Sequence, residues 1–217
     1  SHQGYVHKLL TGRLDRFPTI RQYEGLNGFL LRSESEHDCY GAGHAGTALS
    51  AALGMASARD LKGEDSNIVA VAGDAAFTCG ATLEALNNIA ETTNRCIVIL
   101  NDNEWSIDKN VGALAKYFNA LQTHSTFSGI REKTADFVEK IAGSGVRKLA
   151  HKIERNAKNM LVPNVLFEKF GMRYFGPIDG HDMDALLREL RVMRDRPGPK
   201  LLHVRTIKGK GYARAEA

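Results

Sequence analysis

Apolar residues are patterned most clearly between positions 38 and 103, where short unbroken runs alternate with helix-spaced ones. Ile68-Val69-Ala70-Val71-Ala72 is a β-branched run that stops at Gly73-Asp74, and Cys96-Ile97-Val98-Ile99-Leu100 repeats the form and stops at Asn101-Asp102-Asn103. Runs without polar alternation predict strands buried on both faces. Between them Leu83, Leu86, Ile89 and Ala90 recur at helical spacing, with Thr78 or Thr82 available as a cap, which gives one strand-helix-strand unit. A right-handed crossover would bring the carboxyl ends of both strands to one rim. Upstream, residues 47–61 read as a helix whose alanines and glycine suit close packing. Downstream, 105–163 is polar and mixed, broken by Gly129, Gly143 and Gly145, with a basic amphipathic helix around 146–160; it reads as a partly mobile excursion. The alternation resumes with a helix near 164–170, a strand at 173–175, a turn at 178–182, a helix at 183–194 capped by Asp182, and a last strand at 201–206. The pattern predicts an α/β fold built on a mostly parallel sheet.

Composition narrows the class of protein. Of 217 residues 43% are hydrophobic and 25% charged, which excludes collagen, low-complexity disorder and a coiled-coil rod. The 29 Lys and Arg exceed 25 acids by four, enough to admit an anionic ligand but too few, without interleaved aromatics, to argue for nucleic acid. Cys39, Cys79 and Cys96 cannot all pair, have no metal-ligand spacing, and read as reduced core thiols of a cytoplasmic protein. No apolar run approaches the roughly 18 residues of a membrane span. The chain opens on Ser1-His2-Gln3-Gly4 without Met and is expected to be a fragment.

Gly41-Ala42-Gly43-His44-Ala45-Gly46 spells G-x-G-x-x-G, yet the three residues before it cannot supply the strand a dinucleotide fold needs. The glycines support something looser, a backbone that an anion can approach at a helix N-terminus with His44 nearby, or simply a glycine-rich turn. Asp74 and Asn103 each lie just past a strand end, about one strand-helix-strand unit apart, so adjacent strands would bring both to one crevice. A carboxylate and an amide are oxygen donors suited to a sparse Mg²⁺ site completed by phosphate and water; alternatively both are polar turn residues.

Gly73-Asp74 followed by Asn101-Asp102-Asn103 resembles the cofactor motif of transketolase-like thiamine-diphosphate enzymes. The stretches Ser1–Arg13, Ile99–Glu104 with Val111–Leu114, Gly176–Asp182 and Lys208–Tyr212 narrow the resemblance to the 1-deoxy-D-xylulose-5-phosphate synthase family, over essentially the whole chain. The resemblance implies one diphosphate-binding domain over 1–217, truncated at its N-terminus, with helices on both faces of the sheet. It implies that Asp74, Asn103 and the backbone carbonyl of Trp105 hold Mg²⁺. It also implies that His2, Gly43, His44, Ala45, Ala75, Ala76, Asn103, Lys208 and Tyr212 line thiamine diphosphate, with Lys208 supplying positive charge. The Glu that activates the cofactor would lie in a pyrimidine-binding domain outside this fragment, so no catalytic residue is assigned and the fragment alone is expected to be inactive. A full enzyme of this kind condenses pyruvate with D-glyceraldehyde 3-phosphate, losing CO₂, for isoprenoid and thiamine biosynthesis, as a homodimer without nucleic acid or membrane partners.

Two departures from the family pattern stand out. Its Gly-Asp-Gly is Gly73-Asp74-Ala75 here, and its His-Ser-Ser is His44-Ala45-Gly46. If position 75 needs positive φ, alanine there costs about 1–2 kcal/mol. His181, in Asp-Gly-His-Asp, could serve a site or only its own turn. The N-terminal subunit of a split transketolase, a degenerate non-catalytic paralogue and a nicotinamide-binding domain remain as alternatives.

Overall fold

The β-branched runs form strands as expected, and their pairing sets the architecture. A computed structural model describes residues 2–41, 43–103, 112 and 163–216, without the side chains of 2–3 and 163–165. The excursion near 105–163 therefore lies, apart from Gly112 and Pro163, outside the described residues. Helix α1 (His2–Lys8) opens the chain and a long irregular stretch leads to α2 (Ala48–Leu61). Then come β1 (Ile68–Gly73), a 3₁₀ turn (Asp74–Thr78), α3 (Gly80–Thr92) and β2 (Cys96–Asp102). Helix α4 (Pro163–Lys169), β3 (Arg173–Asp179), α5 (Met183–Arg194), β4 (Lys200–Arg205) and the short α6 (Ala213–Glu216) follow. The four strands are all parallel, in the order β1-β2-β4-β3, so every strand ends at one rim.

Successive side chains on each strand point to opposite faces, and both faces are covered. On one, Ala70, Ala72, Val98, Leu100 and Leu201 pack with Leu49, Ala52 and Ala56 of α2, Leu86 and Ile89 of α3, and Phe167 of α4. Alanine at 52 and 56 lets α2 approach closely, as its composition suggests. On the other face Ile97, Leu202 and Val204 pack with Met193, Leu186 and Leu190 of α5. This cover stops short of β1, whose Val69 and Val71 are half exposed. Among the described residues no helix is long and apolar enough to cross a membrane.

Several expectations need correction. Neither threonine caps α3: Cys79 holds the N-cap position without a side-chain bond, while the Thr78 hydroxyl donates to the Ala75 carbonyl (2.8 Å) and that of Thr82 to the Gly46 carbonyl (3.1 Å). Strand β3 runs on through Gly176-Pro177 to Asp179, since a register shift between Phe175 and Ile178 absorbs the proline without ending the pairing with β4. Of the cysteines only Cys96 is a core thiol, pushed up to about 11 by burial; Cys79 is partly buried and Cys39 is exposed. Asp182 does cap α5, accepting from the Ala185 N–H at 2.9 Å.

Candidate functional site

Parallel register is what brings the strand-end polar residues together. Gly73 of β1 pairs with Asn101 of β2, so Asp74 and Asn103 emerge at neighbouring strand ends, in strands about 4.8 Å apart. Asp74 is 4% exposed and opens the 3₁₀ turn. That turn is pinned from below by Phe77, 1% exposed and edge-on to the ring of Phe167. Ala75 and Ala76 ride on it, partly exposed. Among the described residues positive φ outside glycine is confined to Arg21, Glu24 and Arg95, so Ala75 carries none of the strain considered for it. Its turn is helical, where alanine suits the backbone better than glycine. Ala75→Gly is therefore expected to lower unfolding free energy by about 0.5–1 kcal/mol, read by urea denaturation; a gain in stability would mean the turn is strained after all.

The glycine loop lies beside this turn. Gly43, His44 and Ala45 are exposed, and Ala42 is outside the described residues. Gly46 has φ +74°, and a Cβ there would lie 2.6 Å from the Cβ of Cys79, so the loop is pressed onto the start of α3. On its other side the loop follows the segment around Phe29–Leu31. A Cβ on Gly43 would touch the Phe29 ring at 3.5 Å, and one on Gly4 of α1 would touch Leu30 at 3.5 Å. His2 opens α1, which is thereby linked to the loop, though its side chain is not among those described.

A buried ionic clasp holds this N-terminal segment together. Arg13 Nη1 and Nη2 donate to the two carboxylate oxygens of Asp38, each at 2.8 Å, and the Leu31 N–H donates to Asp38 at 2.9 Å. Arg13 also donates to Glu34, as does Lys8. The Arg13 hydrogen bonds hold the Asp38 carboxyl down at about 2, against the opposing effect of burial.

At the far side of the rim Lys208 and Tyr212 are exposed on the segment that leaves β4. That segment is tethered to β2: Thr206 N–H donates to the Asp102 carbonyl (2.9 Å) and its hydroxyl to Asn101 Oδ1 (2.7 Å). Thus Asp74–Ala76, Asn103 and Lys208 share one rim, with the 43–46 loop against its α3 end. Trp105 lies outside the described residues.

Sequence reading missed a buried polar chain just below the rim. His203, wholly buried, meets Asp102 Oδ2 through Nε2 at 3.0 Å and the Tyr174 hydroxyl through Nδ1 at 2.8 Å. With the carboxylate accepting, Nε2–H donates and Nδ1 accepts from the tyrosine. The available signal was His203 inside the apolar stretch Leu201–Val204 and a carboxylate, Asp102, at the end of β2.

The donor set suits a metal–diphosphate group. Among the described residues no three His, Cys, Asp or Glu side chains gather to hold an ion, so there is no all-protein cage. One buried carboxylate, a nearby amide and a loop of small residues suit Mg²⁺, which retains waters and takes oxygens from phosphate.

A family model described as 1-deoxy-D-xylulose-5-phosphate synthase matches residues 1–206. Proteins of that name from Methylacidiphilum infernorum and Acidobacterium capsulatum are 58% and 56% identical over 98% and 100% of the chain. One from Desulforudis audaxviator is 50% identical over 99%. The chain spans about a third of the length of these relatives, 34%, 35% and 34% respectively.

Proposed function

The chain belongs to the 1-deoxy-D-xylulose-5-phosphate synthase family, and from that premise we propose that it is the part of such an enzyme that grips thiamine diphosphate through Mg²⁺. The observation that carries the reading is the register that sets Asp74 and Asn103 at adjacent strand ends on one rim. Asp74 and Asn103, with the Trp105 carbonyl, would hold the metal, Asp74 contributing the negative charge. Lys208 would offset the phosphates from the opposite side. His2, the backbone of Gly43–Ala45, Ala75 and Ala76, and Tyr212 would line the cofactor, the small residues letting it approach the main chain. When bound, the cofactor supplies the carbanion chemistry; this domain's share is to hold and orient it.

The whole protein would condense pyruvate with D-glyceraldehyde 3-phosphate, releasing CO₂ and 1-deoxy-D-xylulose 5-phosphate for isoprenoid and thiamine biosynthesis. We place it in the cytoplasm, which agrees with three unpaired cysteines, and expect a homodimer on family resemblance alone. The activating Glu would lie in the two thirds of the relatives' length that this chain does not span.

Residues 1–217 alone are accordingly expected to yield no 1-deoxy-D-xylulose 5-phosphate from the two substrates, while the full-length protein binds thiamine diphosphate with Mg²⁺ and loses it on chelation. Product from the isolated chain, or binding indifferent to chelation, would overturn the reading. The view of a degenerate paralogue rested on Ala75 and Ala45, and the helical turn at 75 takes the strain argument away from it.

A further inference from the structure

The Asp-Gly-His-Asp turn between β3 and α5 does more than reverse the chain. Its backbone is pressed flat against the end of β4: the Gly180 N–H donates to the Arg205 carbonyl at 2.7 Å, and a Cβ on Gly180 would lie 2.5 Å from Val204 Cγ1 and 2.6 Å from Thr206 Cγ2. Asp179 Oδ1 accepts from the His181 N–H at 2.9 Å and so orients that residue. The imidazole then reaches across, and its Nε2 accepts from the backbone N–H of Ile207 at 2.9 Å. Ile207 lies two residues beyond the sheet register, and among the described residues no strand pairs with it there. Thr206 is held from the β2 side and Ile207 from the β3 side, and the next residue is Lys208.

We propose that His181 is a positioning residue: by accepting from the Ile207 N–H it fixes the main chain that presents Lys208 to a diphosphate-bearing ligand at the rim. The proposal rests on the thiamine-diphosphate reading given above. An acceptor on a side chain is needed here because Ile207 lies two residues past Arg205, where β2, β4 and β3 end level at Asp102, Arg205 and Asp179, and a glycine at 180 is needed because only a bare backbone lets the turn lie this close to Val204 and Thr206.

The test compares His181→Ala, which removes the acceptor, with His181→Gln, whose amide oxygen can occupy the Nε2 position, in the full-length protein. Dissociation constants are measured by calorimetry for thiamine diphosphate with Mg²⁺ and, as a probe of the anion grip alone, for inorganic pyrophosphate with Mg²⁺. Amide hydrogen exchange of residues 206–212 is followed without ligand. His181→Ala should weaken both ligands about five- to tenfold, the worth of one hydrogen bond, and speed exchange at Ile207, while His181→Gln restores both. In a Lys208→Ala background the His181→Ala change should have no further effect on affinity, because its route to the ligand is gone. Wild-type affinity in a folded His181→Ala protein, or an undiminished effect in the Lys208→Ala background, overturns the proposal alone. No binding of thiamine diphosphate by the unsubstituted protein overturns the functional reading and this proposal with it.

Discussion

Asp74→Ala is expected to remove metal-dependent binding of thiamine diphosphate, raising the dissociation constant by more than about 100-fold. Changes to residues that merely orient a metal ligand cost about 10–100-fold, and the loss of a charged ligand costs more. Asp74 is the one ionised side chain among the proposed ligands, and it is buried at the start of a turn packed on Phe77. Mg²⁺ tolerates little departure from octahedral order, and Asn103 with a carbonyl would leave it two neutral protein donors. Asn103→Ala should do less, since the charge stays. Calorimetric titration with Mg²⁺ present and chelated separates the cases; near-wild-type, metal-dependent binding by Asp74→Ala would show that the strand-end carboxylate is structural.

Asp38→Ala is expected to cost about 2–3 kcal/mol in the stability of the N-terminal segment, because the buried Arg13 guanidinium loses its two-point partner and keeps only Glu34 as a carboxylate. The effect should appear as faster amide exchange over residues 2–40 and an earlier urea transition. Asp38 has a depressed folded pKa of about 2, against about 3.9 unfolded, so its contribution is complete above pH 4 and is lost as pH falls toward 2. Acid titration of the unsubstituted protein should therefore loosen this segment only below about pH 4. A loss under about 1 kcal/mol with unchanged exchange would mean that the clasp is not what orders the segment.

What was legible in the sequence was local. The runs 68–72 and 96–100 and the helix 183–194 with its Asp182 cap carry their signals within a few residues, and the structure follows them closely. The pair proposed to hold the metal could be suspected because Asp74 and Asn103 sit where apolar runs stop, although the sequence does not say that β1 and β2 are neighbours. The rest was hidden because its partners are remote. Arg13 and Asp38 are 25 residues apart, and His203 meets Asp102 across 101 residues only because β4 inserts between β2 and β3. Cys39 looks like a core thiol by residue type alone, yet its place just before the exposed glycine loop leaves it at the surface.

The contact between Gly46 and Cys79 bears on how this sequence can change. A serine at 46, the residue of the family's His-Ser-Ser, would bring its Cβ within 2.6 Å of the Cβ and 2.8 Å of the sulfur of Cys79, on a backbone already at φ +74°. Even alanine at 79 retains the offending carbon. The serine is therefore not one substitution away in any practical sense: the loop and the head of α3 must shift together to admit it. Two sites 33 residues apart are thus coupled, and Gly46→Ser made alone is expected to destabilise the loop.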